Sequence, residues 1–134
     1  MTRVVVNGTF DIIHLGHLRL LDYARSLPNS YVLVLTDSDR RVKQLKGNNR
    51  PINNEYERCS LLFALKSVDR VETFDTDQEL VDLIKGFEPD VMVKGSDYRG
   101  QPIIGAEYCK EIKFYDRFKH YSTTNKIKDI IARG

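Results

Sequence analysis

The chain has 134 residues, of which 41% are hydrophobic and 30% are charged, and its formal net charge is +2. A chain of this length fits one domain, residues 1–134, which buries roughly two-thirds of its unfolded surface. So small a net charge does not suggest a nucleic-acid or membrane partner, and no apolar run approaches the ~20 residues that span a bilayer. We therefore expect a cytoplasmic protein without a signal peptide, whose Cys59 and Cys109 are reduced thiols with no chemical role.

A short strand and an amphipathic helix open the chain. Residues 4–6 are three consecutive valines, a pattern typical of a buried parallel strand. Apolar residues then recur at spacings of three and four along one helix face, at Leu15, Leu18, Leu21 and Ala24. A strand, a glycine turn and a helix in this order commonly bind phosphate.

The turn between them carries two glycines and two histidines. Gly8 permits close approach of the backbone, and Gly16 keeps the helix start open toward an anion. His14 and His17 are two of only three histidines in the chain, and imidazole donors at a helix start can hold the oxygens of a phosphoryl group. The alternative is that one histidine caps the helix and the other lies on the surface.

The second predicted strand leads into a basic stretch. Residues 31–36 form a nearly continuous apolar run, and Asp37 follows it at the strand's carboxyl end. Ser38 is alternatively no more than the N-cap of a short helix. Lys46 and Arg50 flank a Gly-Asn-Asn loop that could close over a triphosphate, whereas the other cations of this stretch predict a solvated face: Arg40, Arg41 and Lys43.

The rest of the chain alternates helices with short strands. Residues 54–57 have capping-box spacing and open a helix to about Ser67, which we expect to bury Leu61, Leu62 and Leu65. Residues 76–79 repeat that spacing before another helix. Further strands are predicted at residues 71–74, at residues 91–93, and near a sheet edge at residues 113–115. Residues 105–107 suit a helix start. The alternation predicts an α/β fold, a doubly wound (Rossmann-like) parallel sheet of about five strands with helices on both faces.

Two more polar groups complete the candidate site. Lys94, Gly95 and Asp97 directly follow the fourth strand, although Asp97 alternatively caps a turn. Residues 122–124, Ser-Thr-Thr, open the last helix and offer hydroxyl and backbone donors to phosphate oxygens. Because most of the candidates follow strand ends, we expect them to meet at one edge of the sheet.

These stretches resemble the nucleotidyltransferases of the cytidylyltransferase-like group. Residues 8–11 with residues 14–17 resemble the paired signature that contains H-x-G-H, and residues 122–127 resemble the S-T-T-x-x-I motif. The resemblance implies transfer of a nucleoside monophosphate from a nucleoside triphosphate to a phosphorylated small molecule, with release of pyrophosphate. It also implies Mg²⁺ as cofactor and, since such proteins are often dimers, a homodimer.

The resemblance implies a role for each candidate. The residues expected to stabilise the reacting phosphate are His14, His17 and Lys46. Those expected to bind the nucleotide are Asn7, Gly8, Thr9, Phe10, Gly16, Lys94, Gly95, Asp97, Ser122, Thr123 and Thr124. Those expected near the acceptor phosphate are Asp11, Asp37, Arg50, Arg58 and Arg117, with Asp11 also a possible metal ligand. For Arg58 a pair with Asn54 or a nearby carboxylate is the alternative.

The sequence leaves two alternatives for the pair of substrates. Residues 45–53 and 93–98 resemble bacterial heptose 1-phosphate adenylyltransferases, which implies ATP and D-glycero-D-manno-heptose 1-phosphate. Arg117 matches glycerol-3-phosphate cytidylyltransferases, which implies CTP and glycerol 3-phosphate, but His120 stands where that form has glycine. A regulatory nucleotide-binding module and a flavoprotein are alternatives from other classes, and the flavoprotein leaves the paired histidines unexplained.

Overall fold

A computed structural model describes residues 1–116 and 122–134, so Arg117 and His120 lie outside the described residues. The described strands form one five-stranded sheet in the order β3-β2-β1-β4-β5, and every pair is parallel. The strands are β1 (Thr2–Gly8), β2 (Ser30–Asp37), β3 (Arg70–Phe74), β4 (Val91–Gly95) and β5 (Glu111–Tyr115). All five predicted strands are confirmed, with β5 at an edge.

Helices follow most of the strands. They are α1 (Leu15–Ser26), α2 (Asp39–Lys46), α3 (Glu55–Phe63), α4 (Asp77–Phe87) and α5 (Thr123–Arg133). The predicted caps hold the helix starts, because the side chains of Ser38, Asn54 and Thr76 accept hydrogen bonds from backbone N–H groups of their first turns. Ser38 is therefore an N-cap, as one of its two interpretations required.

Two apolar clusters cover the two faces of the sheet. On one face Val4 and Val6 pack with Leu21 of α1 and Leu62 of α3. On the other face the central strands pack against Leu80 and Ile84 of α4. Alternate residues of a strand point to opposite faces, so the continuous apolar runs in the sequence reflect burial on both sides. The doubly wound α/β architecture is confirmed.

Three local expectations were wrong. The helix expected to reach about Ser67 ends at Phe63. Leu61 is 42% exposed, because Arg58 and Leu62, one turn apart, form the buried side of α3. The helix expected at residues 105–107 is only a three-residue 3₁₀ turn, Ala106–Tyr108. Gly105 has φ of 84°, and a Cβ there would lie 2.4 Å from Cδ1 of Ile84. The glycine thus lets this segment pack directly against α4.

Two further expectations can be compared with the described residues. Cys59 and Cys109 are free thiols of intermediate exposure. Burial raises the pKa of Cys109 to about 11, and it also raises the pKa of Cys59. Among residues 1–116 and 122–134, no helix is long and apolar enough to cross a membrane.

Candidate functional site

A cavity of about 530 Å³ opens at the carboxyl edge of the sheet. The chain passes from β1 to β2 and β3 on one side and continues with β4 and β5 on the other, so the strand order reverses around β1. Open α/β sheets bind ligands at this kind of switch point. The starts of α1 and α5 and the end of α2 complete the cavity walls.

Nearly all candidates from the sequence line this cavity. They are Asn7, Gly8, Thr9, Phe10, Asp11, His14, Gly16, His17, Asp37, Lys46, Arg50, Lys94, Gly95, Asp97, Ser122, Thr123 and Thr124. The expectation for Arg117 falls outside the described residues, and Arg58 does not line the cavity.

The two histidines stack at the start of α1, with ring centroids 3.8 Å apart and planes inclined by 22°. The N–H of Gly16 donates to Nδ1 of His14 at 3.0 Å, and the N–H of His14 donates to Nδ1 of His17 at 3.2 Å. Because Nδ1 accepts a hydrogen bond in each ring, the hydrogen of each neutral imidazole lies on Nε2. Helix capping and phosphate binding are therefore compatible, since each uses a different nitrogen of the ring.

The loop over residues 9–14, which precedes α1, contains strained backbone. Phe10 and Ile12 have φ of 53° and 50°, a region that a β-branched residue rarely adopts. Phe10 is nonetheless buried, and its ring centroid lies 5.3 Å from that of His17. Such strain persists only where the surroundings fix it, and it is common at ligand sites.

Arg58 is one of the groups that hold this loop, and its position corrects our expectation of a phosphate contact. Its side chain is fully buried, and its guanidinium donates to the carbonyls of Asn53 and Thr9, to the hydroxyl of Thr36 and to the carboxylate of Asp39 at 2.9–3.0 Å. Because every nitrogen of its guanidinium is hydrogen-bonded to the protein, Arg58 stabilises the loop that forms the site and does not contact a ligand there. The alternative of a nearby carboxylate partner is met by Asp39.

Asp11 fixes the loop from its other side. Its carboxylate oxygens accept hydrogen bonds from the N–H groups of Ile52 and Asn53 at 2.7 and 2.9 Å, and the residue is 3% exposed. A Mg²⁺ ion prefers several oxygen ligands, whereas the described residues contain no group of three or more His, Cys, Asp or Glu that could hold a metal. A protein-built magnesium site on Asp11 does not fit this arrangement.

The start of α5 meets the same loop. Ser122 caps the helix by accepting from the N–H of Asn125 at 3.0 Å, and the hydroxyl of Thr123 donates to the carbonyl of Asp11. The Thr123 hydroxyl hydrogen is thus already used. The donors that remain for an anion are the hydroxyls of Ser122 and Thr124 and the backbone N–H groups of the first turn.

Two cations stand at the rim between α2 and α5. Lys46 ends α2 and is exposed, and Arg50 donates to the hydroxyl of Thr124 at 3.4 Å. The segment between them therefore reaches across to α5. This position suits the two cations to an anion that enters between the start of α1 and the start of α5.

Arg41 is the cation that sequence reasoning missed. We expected it on a solvated face, but its side chain is 14% exposed, and it pairs with Asp37 at 3.0 Å and with Asp77 at 2.7 Å. Burial opposes its charge, but the hydrogen bonds to Asp77 and Asp37 outweigh that effect and raise the pKa of Arg41 above its ordinary value. Asp37 also accepts from the hydroxyl of Thr9 at 3.4 Å. Asp37 thus lines the cavity with its carboxylate paired to Arg41, and its expected place near the acceptor phosphate stays a prediction.

An apolar wall was also absent from the sequence interpretation. It is formed by Phe74, Leu80, Pro102, Ile103 and Ile104. Phe74 and Leu80 looked like ordinary core residues, and only the order of the strands brings them beside the cavity. The Pro-Ile-Ile run in the connection after β4 was only a weak signal, because exposed apolar residues are common in proteins.

Comparisons with known proteins agree with this geometry. The sequence profile described as cytidylyltransferase-like matches residues 5–128. The chain is 46% identical over 129 residues to the bifunctional protein HldE of Campylobacter fetus, covering 96% of this chain and 28% of that protein. It is 44% identical to HldE of Helicobacter hepaticus, covering 95% of this chain and 26% of that protein. The chain thus spans little more than a quarter of the length of these relatives.

A solved structure has the same fold. The crystal structure of the lipopolysaccharide core biosynthesis protein from Thermoplasma volcanium superposes with a TM-score of 0.67 at 27% sequence identity, covering 87% of this chain and 98% of that one. The profile match covers both the H-x-G-H turn and the S-T-T helix start, which the fold brings to one cavity. The chain belongs to the cytidylyltransferase-like family.

Proposed function

We propose that this protein transfers AMP from ATP to D-glycero-D-manno-heptose 1-phosphate, giving ADP-heptose and pyrophosphate. The observation that carries the transfer is the presence of the stacked histidines and the start of α5 in one cavity. The choice of ATP and heptose rests on residues 45–53 and 93–98, which resemble heptose 1-phosphate adenylyltransferases.

The reaction is an in-line displacement at the α-phosphorus. An oxygen of the acceptor phosphate forms the new bond to the α-phosphorus, while the bond to the bridging oxygen of the β-phosphate breaks and pyrophosphate leaves with the electron pair. No covalent enzyme intermediate is needed, so rate enhancement comes from positioning and charge stabilisation.

Different groups of the protein bind different phosphates of the nucleotide. The Nε2–H groups of His14 and His17 donate to α-phosphate oxygens, whose charge grows in the transition state. Ser122, Thr124 and the first-turn N–H groups of α5 hold the leaving pyrophosphate. Lys46 and Arg50 neutralise the charge between them. We expect Mg²⁺ to enter with the nucleotide, because the described carboxylates do not build a site for it.

The test is pyrophosphate release in the presence of Mg²⁺, with ATP or CTP each combined with heptose 1-phosphate or glycerol 3-phosphate. We expect release with ATP and heptose 1-phosphate alone. Release with CTP and glycerol 3-phosphate would replace this proposal with the alternative to which Arg117 points. No release from any pair, together with normal nucleotide binding, would favour a regulatory module.

A matched pair of lysine variants links the activity to this cavity. Lys46→Met removes a cavity cation, and we expect kcat/KM to fall by a factor on the order of 10². Lys43→Met makes the same change on the same helix, at an exposed residue outside the cavity, and should leave the rate within about twofold. Equal losses in both variants would contradict the assignment of Lys46.

A further inference from the structure

The cavity has a second compartment on the α4 side of the sheet, defined here by Asn7, Asp37 and Lys94. Val5, Leu35 and Met92 lie in the cluster that packs against α4, and each of the three polar residues follows one of them by two positions on the same strand. Residues two apart in a strand share a face. The three side chains therefore continue the α4 face of the sheet to its carboxyl edge, on β1, β2 and β4.

The amide of Asn7 has no hydrogen bond within the part of the chain that the structure describes. Its Oδ1 is fully buried without a donor. Most buried polar atoms in proteins are satisfied, so an orphaned oxygen beside a cavity needs an explanation. Rotation of the amide breaks no hydrogen bond to a described residue, which allows Asn7 to present either its carbonyl or its NH₂ group to a ligand.

Lys94 is a second buried polar group of this compartment. The residue is 8% exposed, and its ammonium lies over the ring of Tyr98, 4.5 Å from the centroid. No hydrogen bond or ion pair joins it to another described residue within the distances that define them. Burial lowers the pKa of Lys94, while Asp37 and Asp97 oppose this by favouring the charged form.

The charge of this compartment differs from that of the α1 side. The carboxylates of Asp37 and Asp97 offset the positive charge of Lys94. Arg41 forms ion pairs with Asp37 and Asp77. These charges nearly cancel, whereas histidines, cations and helix N–H groups dominate the side of the cavity where α1 and α5 start. Phe74, Leu80 and Ile103 add apolar surface to the α4 side. A neutral group with both hydroxyls and C–H surface fits this combination better than a phosphate does.

We propose that the compartment around Asn7, Asp37 and Lys94 binds a neutral polyhydroxylated part of a substrate, with Asn7 and Lys94 making hydrogen bonds to its hydroxyl groups. This inference rests on the proposed function. It moves Asn7 and Lys94 from a general nucleotide role to the recognition of hydroxyls. Two substrate parts have this chemistry, the carbon skeleton of the acceptor and the ribose of the nucleotide.

The experiment uses Asn7→Leu, Lys94→Met and the control Lys66→Met, an exposed lysine outside the cavity. Calorimetry gives the Kd of heptose 1-phosphate, ATP, 2′-deoxyATP and 3′-deoxyATP for each protein, which needs no turnover. We expect both cavity variants to weaken one of the two natural ligands about tenfold, because each loses a hydrogen bond to a buried group. The other ligand and the control should change less than about twofold.

The pattern identifies the source of the hydroxyls. Weaker heptose 1-phosphate binding with unchanged ATP binding places the acceptor in the compartment. Weaker ATP binding, with one deoxy nucleotide binding wild type and variant equally, places the ribose there. Unchanged affinities for both natural ligands would overturn the inference.

Thermal unfolding separates recognition from structure. Since Lys94→Met removes a buried charge that makes no hydrogen bond or ion pair with a described residue, its Tm should equal or exceed that of the wild type. A lower Tm accompanied by uniformly weaker binding of every ligand would show a structural role and overturn the inference. A wild type that binds both substrates but releases no pyrophosphate would refute the proposed transfer, while the affinities would still decide this inference.

Discussion

Each histidine of the cavity uses its two ring nitrogens for different tasks. Nδ1 of His17 accepts from the backbone of His14, and Nε2–H is the donor that we assign to phosphate. Substitutions can separate these tasks, because the Asn side chain places an oxygen close to the position of Nδ1 and the Gln side chain places its amide close to Nε2.

For His17 we predict that His17→Ala and His17→Asn both lower kcat by a factor of ~10² to 10³, since both remove the Nε2 donor. Only His17→Ala should also lower Tm, because the N–H of His14 then loses its acceptor. His17→Gln should recover part of the rate. Steady-state kinetics and thermal melts measure both effects, and near-normal turnover in the Ala and Asn variants would contradict the assignment.

Cys109 gives a second prediction at this scale. Burial destabilises its thiolate and raises its pKa to about 11, so the thiol form dominates in the native protein near neutral pH. Its alkylation by iodoacetamide should therefore be slow at pH 8 and accelerate toward pH 11. The same shift makes the native state less stable as pH rises from about 9, because the unfolded thiol ionises first. Rapid labelling of the native protein at pH 7, read by peptide mass spectrometry, would refute this.

At the scale of the elements, the turn after β1 requires a residue without a Cβ at position 8. A Cβ on Gly8 would lie 3.1 Å from Cε2 of Phe10, whose ring neighbours His17. This requirement comes from side-chain packing, since Gly8 is not among the glycines with positive φ.

We predict that Gly8→Ala weakens ATP binding about tenfold or more by displacing Phe10 and, through it, His17. Gly86→Ala is the matched control, because nothing lies within 4 Å of a Cβ at that position in α4. The control should stabilise the protein by about 0.5–1 kcal/mol and leave binding unchanged. Denaturant unfolding and calorimetry measure the two quantities, and unchanged ATP affinity in Gly8→Ala would show that the ring can move without cost.

The sequence predicted elements more reliably than it predicted the partners of charged residues. The valine run of β1 and the apolar run of β2 are unambiguous, because a strand buried on both faces must be apolar throughout. The predicted positions of Arg41 and Arg58 were wrong, because the sequence around an arginine does not show whether the arginine and its carboxylate partner will be exposed or buried. Those partners, Asp37 and Asp39, are identified only after the sheet and helices have packed.

At the scale of the whole molecule, Arg58 joins parts of the chain that are distant in sequence. It connects α3 with the loop over residues 9–14, with the carboxyl end of β2 and with Asp39 at the start of α2. Arg58 therefore stabilises both the cavity loop at residues 9–14 and the packing of α2 and α3 on the sheet.

We predict that Arg58→Met lowers the free energy of unfolding by about 3–5 kcal/mol, because Asp39 and several polar groups lose a buried partner. ATP binding should weaken in the same variant, since the strained backbone at Phe10 and Ile12 loses an anchor. Arg70→Met, a change at an exposed arginine, should alter stability by less than about 0.5 kcal/mol. Urea unfolding compares the two variants, and equal stabilities would contradict a supporting role for Arg58.

The hydrogen bond from Thr123 to the carbonyl of Asp11 spans 112 positions of the chain. During synthesis the ribosome releases the histidines at the start of α1 long before it releases α5, so the nascent chain carries half of a phosphate site until α5 has emerged. Nucleotide can be held between the two helix starts only after residue 124 has left the exit tunnel. Ribosome-bound chains in which residue 124 is still inside the tunnel should therefore not retain ATP.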